Sequence, residues 1–296
     1  MNAWVLFLII GTVWGGSFVA IQTVVQILPP FHCAFFRVLI AAIAIGLYAL
    51  WSGRSLRMPR HLRLLNGVAA LFAHGIPFLF LFWGETRVSA SVGGVINGSV
   101  PLWTVVMGFW LGQPREILGK RKLAGVALGL CGLIVLYLPR LLESSLQFEL
   151  AGVAAITVMA ISYGAGTVLT RRVLSDKAHV DTVACVFFQL VVSTIFLAVT
   201  APLLEPFPQM SDLSNPVAIG SLLYLGAISS GLAFVFYFTL VRVWGAVSAS
   251  AVTYIVPVST ILLEFLIHRR EPRGAELVGA GLILSGVALS RSRPAL

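Results

Sequence analysis

The chain has 296 residues, of which 58% are hydrophobic and only 10% are charged, and its formal net charge is +9. Soluble domains carry about 25% charged residues, so this composition excludes a water-soluble fold with an ordinary polar surface. The basic residues stand in short segments between apolar stretches rather than along one helix face, which argues against nucleic acid as a partner.

Ten apolar stretches of about twenty residues fill the chain, and each matches the ~30 Å hydrocarbon core of a bilayer. The predicted spans of the first half are Ala3–Gln26, Phe31–Trp51, Leu64–Gly84, Val88–Leu111 and Leu123–Leu138. Those of the second half are Leu150–Thr170, Thr182–Ala201, Val217–Leu240, Ala246–Ile267 and Gly274–Ser290. The first stretch lacks the basic segment of a secretory signal peptide, so we expect it to stay as a membrane helix.

The distribution of lysine and arginine orients the predicted spans, because these residues prefer cytoplasmic loops. With the N-terminus inside, fourteen of them fall on the cytoplasmic side, five fall outside and Arg37 lies within a span. Arg269, Arg270 and Arg273 break the rule locally. Both termini are therefore predicted to be cytoplasmic, in a multi-pass protein of the cytoplasmic (inner) membrane.

Landmark residues recur in the two halves at nearly constant spacing. The pairs, with their separations, are Phe35 and Phe187 (152), Arg37 and Gln189 (152), Pro101 and Pro257 (156), Gln113 and Glu271 (158), Gly125 and Gly279 (154), and Gly132 and Gly286 (154). Ordered recurrence of this kind predicts a duplication, with one repeat in residues 1–145 and the other in residues 146–296. Because five helices are an odd number, the second repeat must enter the membrane from the opposite side.

The run Trp14-Gly15-Gly16-Ser17-Phe18-Val19-Ala20, followed by Leu28-Pro29-Pro30 and Phe36-Arg37, resembles the opening of EamA-type members of the drug/metabolite transporter superfamily. Pro101, Pro257, the Glu271 turn and the Gly279/Gly286 helix resemble the end of that family's repeat. The resemblance implies an all-α integral membrane protein of ten transmembrane helices, arranged as two inverted five-helix repeats around a central cavity. It also implies transport of small metabolites, often outward, and within the family it favours the YddG-like amino-acid exporters.

Pro101 and Pro257 lie near the middle of corresponding spans, where proline removes a backbone hydrogen bond and kinks a helix. Such breaks mark the substrate sites of transporters, although static kinks are also common, so both prolines are candidate gating positions. Polar and aromatic groups at similar depth are candidates for substrate binding: Trp14, Ser17, His74, Asn97, Tyr163 and Tyr254. Serine can instead bond to its own helix, and the aromatic side chains can instead face lipid or pack.

Arg37 is the one basic residue inside a predicted span. Its guanidinium either snorkels to the outer boundary or faces the bundle and binds a carboxylate, which would suit an amino-acid substrate. No Asp, Glu or Lys falls at mid-membrane depth in these spans. The cavity is therefore predicted to be nearly uncharged, to accept neutral or zwitterionic solutes, and to export them down their own gradient.

The sequence thus predicts a secondary transporter that exports small neutral or zwitterionic metabolites, above all amino acids, by alternating access. Export of other solutes, such as nucleosides, sugars or lipophilic drugs, is the alternative. No HExxH, GxSxG or paired carboxylate occurs, so no enzymatic activity is expected. The three cysteines lack ligand spacing, so neither a metal nor a cofactor is expected. The expected partners are a small-molecule substrate and the lipid bilayer, with the protein acting as a monomer.

Overall fold

The computed structural model describes residues 2–88, 90–112, 119–142, 150–259 and 274–290, and these residues form ten apolar helices. In the first half, α1 is Ala3–Val24, α2 is Pro30–Ser52, α3 is Arg60–Glu85, α4 comprises Ala90–Asn97 and Val100–Trp110, and α5 is Lys120–Leu142. In the second half, α6 is Leu150–Leu174, α7 is Thr182–Leu204, α8 is Pro216–Trp244, α9 is Ala246–Ser259 and α10 is Gly274–Ser290. A short helix, Met210–Leu213, lies between α7 and α8.

The length and surface of these helices are those of a membrane protein. Seven of them, α1 to α4 and α6 to α8, are long and apolar enough to cross a bilayer. α5 has 23 residues, while the apolar parts of α9 and α10 are shorter. Large apolar side chains such as Trp51 (87% exposed) and Leu203 (78% exposed) cover the outside, as contact with lipid requires. The predicted all-α, multi-pass membrane fold is confirmed.

Helix packing has the symmetry that a duplicated five-helix unit requires. α2 packs on α7 and α5 packs on α10, so each of these four helices contacts its own counterpart. Two further sets of contacts come in matched pairs: α1 packs on α8 as α6 packs on α3, and α2 packs on α8 as α7 packs on α3. Exchanging the two halves therefore leaves the pattern of these contacts unchanged.

The counterpart helices α2 and α7 run antiparallel, as inversion requires. At one end of the bundle, the backbone N–H of His32 donates to Glu205 Oε1 over 2.7 Å. At the other end, Arg54 Nη1 lies 3.1 Å from Asp181 Oδ2. Residue numbers thus rise along α2 while they fall along α7. We refer to these as the Glu205 end and the Arg54 end of the bundle.

The counterparts α5 and α10 also run antiparallel, and they approach each other through glycine. A Cβ atom on Gly132 would lie 2.7 Å from the carbonyl oxygen of Gly279, and one on Gly286 would lie 2.6 Å from that of Gly125. The two contacts are equivalent, because Gly132 corresponds to Gly286 and Gly279 corresponds to Gly125 in the two repeats. Small residues allow membrane helices to approach this closely, since lipid offers no hydrophobic drive for association.

The structure shifts some of the predicted boundaries. The predicted third span, Leu64–Gly84, becomes the longer helix Arg60–Glu85, which brings Glu85 into the bundle. The Gln113 and Glu271 turns and the cluster around Arg269 lie outside the described residues. The repeat boundaries at residues 145 and 146 stay predictions.

Candidate substrate-binding site

Two helices contain π-helical turns at corresponding positions, Leu71–Gly75 in α3 and Tyr224–Leu232 in α8. A π turn widens the helix and disrupts its regular hydrogen bonding, and such turns are frequent at functional sites. A side chain from a neighbouring helix donates to a carbonyl group in each turn, and the two donor helices, α6 and α1, are equivalent in the two repeats. Ser162 Oγ of α6 donates to the Phe72 carbonyl over 3.0 Å, and Trp14 Nε1 of α1 donates to the Ser229 carbonyl over 3.0 Å. The polar groups Trp14 and Ser162 thus have matching structural roles.

Two other helices are interrupted where proline occurs in the sequence. α4 breaks after Asn97 and resumes at Val100, so Pro101 lies in the first turn of its second part. α9 passes through a 3-10 turn, Ala251–Tyr254, and Pro257 lies in the first turn after it. Proline fits there because its missing N–H has no intrahelical partner in a first turn. Both breaks therefore lie where the two prolines predicted helix kinks, while a gating role for the prolines stays a prediction.

A central cavity lies among these interrupted helices, with about 640 Å³ of empty space including its open mouth. Six aromatic side chains line it: Trp14, Phe18, Tyr163, Phe234, Tyr237 and Phe238. Neutral polar side chains also line it: Ser17, Asn97, Thr167, Thr170 and Thr253. Arg37 supplies a positive charge to the lining, so the cavity combines aromatic walls with one cation.

Arg37 faces the bundle rather than the membrane boundary. It is 3% exposed, and its guanidinium carbon lies 4.2 Å from the centre of the Phe78 ring. Nε donates to Ser230 Oγ over 2.6 Å, and Nη2 donates to Ser229 Oγ over 3.2 Å. Nη1 is buried and has no hydrogen-bond partner among the residues that the structure describes. We call Arg37, Ser229 and Ser230 the Arg37 cluster.

The counterpart of Arg37 in the second repeat, Gln189, lies in a neutral network. Its Nε2 donates to Asn66 Oδ1 over 2.8 Å and to Thr170 Oγ1 over 3.0 Å. Its buried Oε1 has no partner of good hydrogen-bond geometry among the described residues, although the His74 ring lies beside the side chain. We call Gln189, Asn66 and Thr170 the Gln189 cluster. It connects α3, α6 and α7 and meets the cavity through Thr170.

Two of the predicted binding residues, His74 and Tyr254, lie outside the cavity lining. His74 is fully buried in the π turn of α3, with its ring 4.4 Å from that of Phe234. Neither ring nitrogen has a partner of good hydrogen-bond geometry, although the Gln189 side chain lies beside the ring. Tyr254 donates its hydroxyl to the Val126 carbonyl over 3.1 Å, which joins α9 to α5. Binding of substrate by either residue stays a prediction.

The other predicted binding residues, Trp14, Ser17, Arg37, Asn97 and Tyr163, are brought together around the cavity. The Ser17 hydroxyl donates to the Trp14 carbonyl over 2.7 Å, so it bonds to its own helix as well. Sequence analysis missed the buried carboxyl group of Glu85, because an acidic residue reads as the end of an apolar stretch. It also missed the π turns, for which we find no signal in the residue pattern.

The polar contacts at the two ends of the α2–α7 pair differ in their exposure to solvent. At the Glu205 end, His32 Nδ1 lies 2.9 Å from Glu205 Oε1, and His32 is buried. At the Arg54 end the contacts are solvent-exposed, and the Asp176 carboxylate accepts hydrogen bonds from the Ala178 backbone and the His61 ring. These donors lower the pKa of Asp176 below its usual range. Within the described parts of the chain, no three His, Cys, Asp or Glu side chains cluster to hold a metal ion.

Comparison with known proteins agrees with this arrangement. A model of the EamA-like transporter family matches residues 2–138 and again residues 150–292. An uncharacterized transporter of Archaeoglobus fulgidus is 29% identical, over 95% of this chain and 94% of that protein. A probable amino-acid metabolite efflux pump of Salmonella typhimurium is 23% identical, over 96% of this chain and 93% of that protein. A solved crystal structure shares the fold, with a TM-score of 0.73 at 23% identity, over 97% of this chain and 96% of that one.

Proposed function

The chain belongs to the EamA-like transporter family, and from this premise we propose that it exports small zwitterionic metabolites, amino acids above all, by alternating access. The observation that carries the proposal is Arg37, which lines the central cavity and whose buried Nη1 has no hydrogen-bond partner among the described residues. A guanidinium forms short, charge-assisted hydrogen bonds with carboxylates, so this nitrogen suits the carboxylate that every amino acid carries. Ser229 and Ser230 hold the other donors of Arg37, which orients the guanidinium for that contact.

The remainder of the cavity suits the other parts of such a solute. Tyr163, Phe234 and Tyr237 offer ring faces for an ammonium group, which aromatic rings attract, or for an apolar side chain. Asn97 offers both a donor and an acceptor to polar groups of the solute. A relative named as a probable amino-acid metabolite efflux pump covers nearly the same length and agrees with this substrate class.

Alternating access is supported by the inverted repeat and by the position of the helix breaks. In inverted-repeat transporters, one half rocks against the other around a fixed midplane site. Here the π turn of α3 and the breaks of α4 and α9 contribute Ala73, Asn97 and Thr253 to the cavity lining. The π turn of α8 bonds to Arg37, which also lines the cavity. The excess of basic residues at the Arg54 end favours a cytoplasmic position for that end, and hence for both termini.

Counterflow in proteoliposomes tests the proposed function. Vesicles that hold the full-length protein and an excess of one unlabelled amino acid should transiently accumulate the labelled form, and Arg37→Gln should abolish most of this accumulation. Arg54→Gln serves as the matched control, because Arg54 is exposed at the end of the bundle and far from the cavity. Absence of counterflow for every amino acid tested would refute the proposal.

The aromatic lining also fits a second candidate function, export of lipophilic compounds. Those compounds need no carboxylate, so their export would survive Arg37→Gln. A resistance assay in cells with neutral lipophilic drugs separates the two functions. Resistance that Arg37→Gln leaves intact would favour the second candidate over the first.

A further inference from the structure

The carboxyl group of Glu85 is buried at the end of α3. The residue is 4% exposed, and neither Oε1 nor Oε2 has a hydrogen-bond partner among the described residues. An ionised carboxylate is costly to bury alone, whereas a protonated carboxylic acid is neutral. A group in this environment is suited to take up and release a proton. Its burial is not explained by an ion pair among the described residues.

Four helices meet at this carboxyl group, and a glycine makes room for it. A Cβ atom on Gly93 of α4 would lie only 2.8 Å from Glu85 Oε1. The same point is 3.4 Å from Ile156 Cδ1 of α6 and 3.6 Å from Phe18 Cε1 of α1. The carboxyl group therefore occupies space that a larger residue at position 93 would fill.

Residues around the carboxyl group line the central cavity. They include Phe18, whose ring lies 3.6 Å from the same Cβ position on Gly93, and Leu81, one helical turn before Glu85. Asn97 ends the segment of α4 that contains Gly93, and it lines the cavity as well. A change in the protonation of Glu85 is thus positioned to affect the helices that surround the substrate.

In the part of the chain that the structure describes, no titratable group bonds to Glu85. α1 and the described part of α4 carry no charged residue. α2 contributes Arg37, which lies over the Phe78 and Phe82 rings, and α6 contributes the Tyr163 hydroxyl. On the α3 side are His74, in its π turn, and Arg87, whose guanidinium lies 3.8 Å from the Trp83 ring.

We propose that Glu85 carries one proton inward for each solute molecule exported, so that the protein is a proton-coupled antiporter. The inference rests on the proposed function and replaces the downhill export expected from the sequence, where Glu85 fell one residue beyond the third span. At the outer face a proton from water forms an O–H bond with a carboxyl oxygen. At the inner face that bond breaks and the proton returns to water, with no other bond changed.

Solute accumulation under an imposed pH difference tests the coupling. Proteoliposomes with an acidic interior should accumulate the labelled amino acid by up to about tenfold for each pH unit, because one proton leaves for each solute that enters. Glu85→Gln, which has nearly the same shape but cannot carry the proton, should reach only the outside concentration while it still supports counterflow. Wild-type vesicles that fail to accumulate solute, or Glu85→Gln vesicles that accumulate it normally, would overturn the proposal.

Asp212→Asn provides the matched control, because Asp212 is a surface carboxylate at the same end of the bundle, near the Ser211 hydroxyl. This variant should accumulate solute as the wild type does. Loss of accumulation in Asp212→Asn equal to that in Glu85→Gln would contradict a specific role for Glu85.

An infrared titration of the purified protein without substrate separates the two proposals. The chain has 11 Asp and Glu residues, so the test is a difference: one component of the titrating carbonyl band of protonated carboxylic acids should be present in the wild type and missing from Glu85→Gln. If this component is present but no amino acid shows counterflow, the proposed function fails and the proton site stands. If counterflow occurs without this component and without accumulation, the proton site fails and the proposed function stands.

Discussion

The Arg37 cluster and the Gln189 cluster occupy corresponding positions in the two repeats, yet their chemistry differs. In both, the central residue lies on α2 or its counterpart α7 and contacts the π-turn helix of the opposite repeat. Arg37 of α2 contacts α8, and Gln189 of α7 contacts α3. In the first cluster this residue is a cation with a donor nitrogen that has no partner among the described residues. In the second it is a neutral amide that holds Asn66 and Thr170.

This difference indicates how a duplicated scaffold acquires polarity. The backbone geometry of both repeats is retained, since the π turns, helix breaks and glycine contacts all occur in pairs. The side chains have diverged, so that one side of the cavity carries positive charge and the other forms a neutral network. A zwitterion in a cavity of this kind has a preferred orientation, because only one side attracts its carboxylate.

The largest expected effect follows from making the two clusters alike. Arg37→Gln removes the charge and leaves a glutamine at both corresponding positions. Loss of a hydrogen bond from a charged donor costs about 1.5–3 kcal/mol, so the affinity for an amino acid should fall by about 10- to 100-fold. The half-saturating concentration in counterflow measures this change. An unchanged value would mean that Arg37 does not contact the solute.

The α5–α10 contact is the region where the two repeats remain alike in both backbone and side chain. Gly132→Ala and Gly286→Ala each force a methyl group against the opposite backbone, so each should destabilise the protein by about 1–3 kcal/mol. Gly281→Ala on α10 is the control, because a Cβ atom there meets nothing within 4 Å. Thermal unfolding in detergent should place both contact variants below the control by similar amounts. A large difference between them would contradict the symmetry.

In the Gln189 cluster a substitution should affect stability more than affinity. Gln189→Leu removes the donor that Asn66 Oδ1 and Thr170 Oγ1 share, and a buried acceptor without a partner costs about 1–3 kcal/mol. We therefore expect a lower unfolding temperature with little change in the half-saturating concentration. A loss of affinity as large as that of Arg37→Gln would show that both clusters contact the solute carboxylate.

The smallest effect is expected from a neutral residue of the lining. Asn97→Ala removes one uncharged hydrogen-bonding group from the cavity, so uptake affinity should fall by only about 2- to 10-fold. Membrane insertion should be unaffected, as quantified from the amount of purified protein. Wild-type uptake by this variant would remove Asn97 from the binding site.

Much of the fold could be predicted because apolar length and repeated landmarks report directly on membrane helices. The spacing of Pro101 and Pro257 located both helix breaks, since proline excludes a regular helix interior. The pairing of Arg37 with Gln189 identified equivalent positions of the repeat, but it predicted no cluster at Gln189, because the hydrogen-bond partners on α3, α6 and α8 depend on tertiary packing. The burial of Glu85 could not be predicted, because hydropathy places a carboxylate at the end of a span whatever covers it.

Exchange of the solute carboxylate for a carboxamide tests most directly whether Arg37 recognises it. Competition against counterflow should be measured for one transported amino acid and for its carboxamide, in the wild type and in Arg37→Gln. The wild type should prefer the carboxylate by about 10-fold or more, and Arg37→Gln should bind the two compounds almost equally, because the charged donor is gone. An equal preference for the carboxylate in both proteins would contradict recognition of the solute by Arg37.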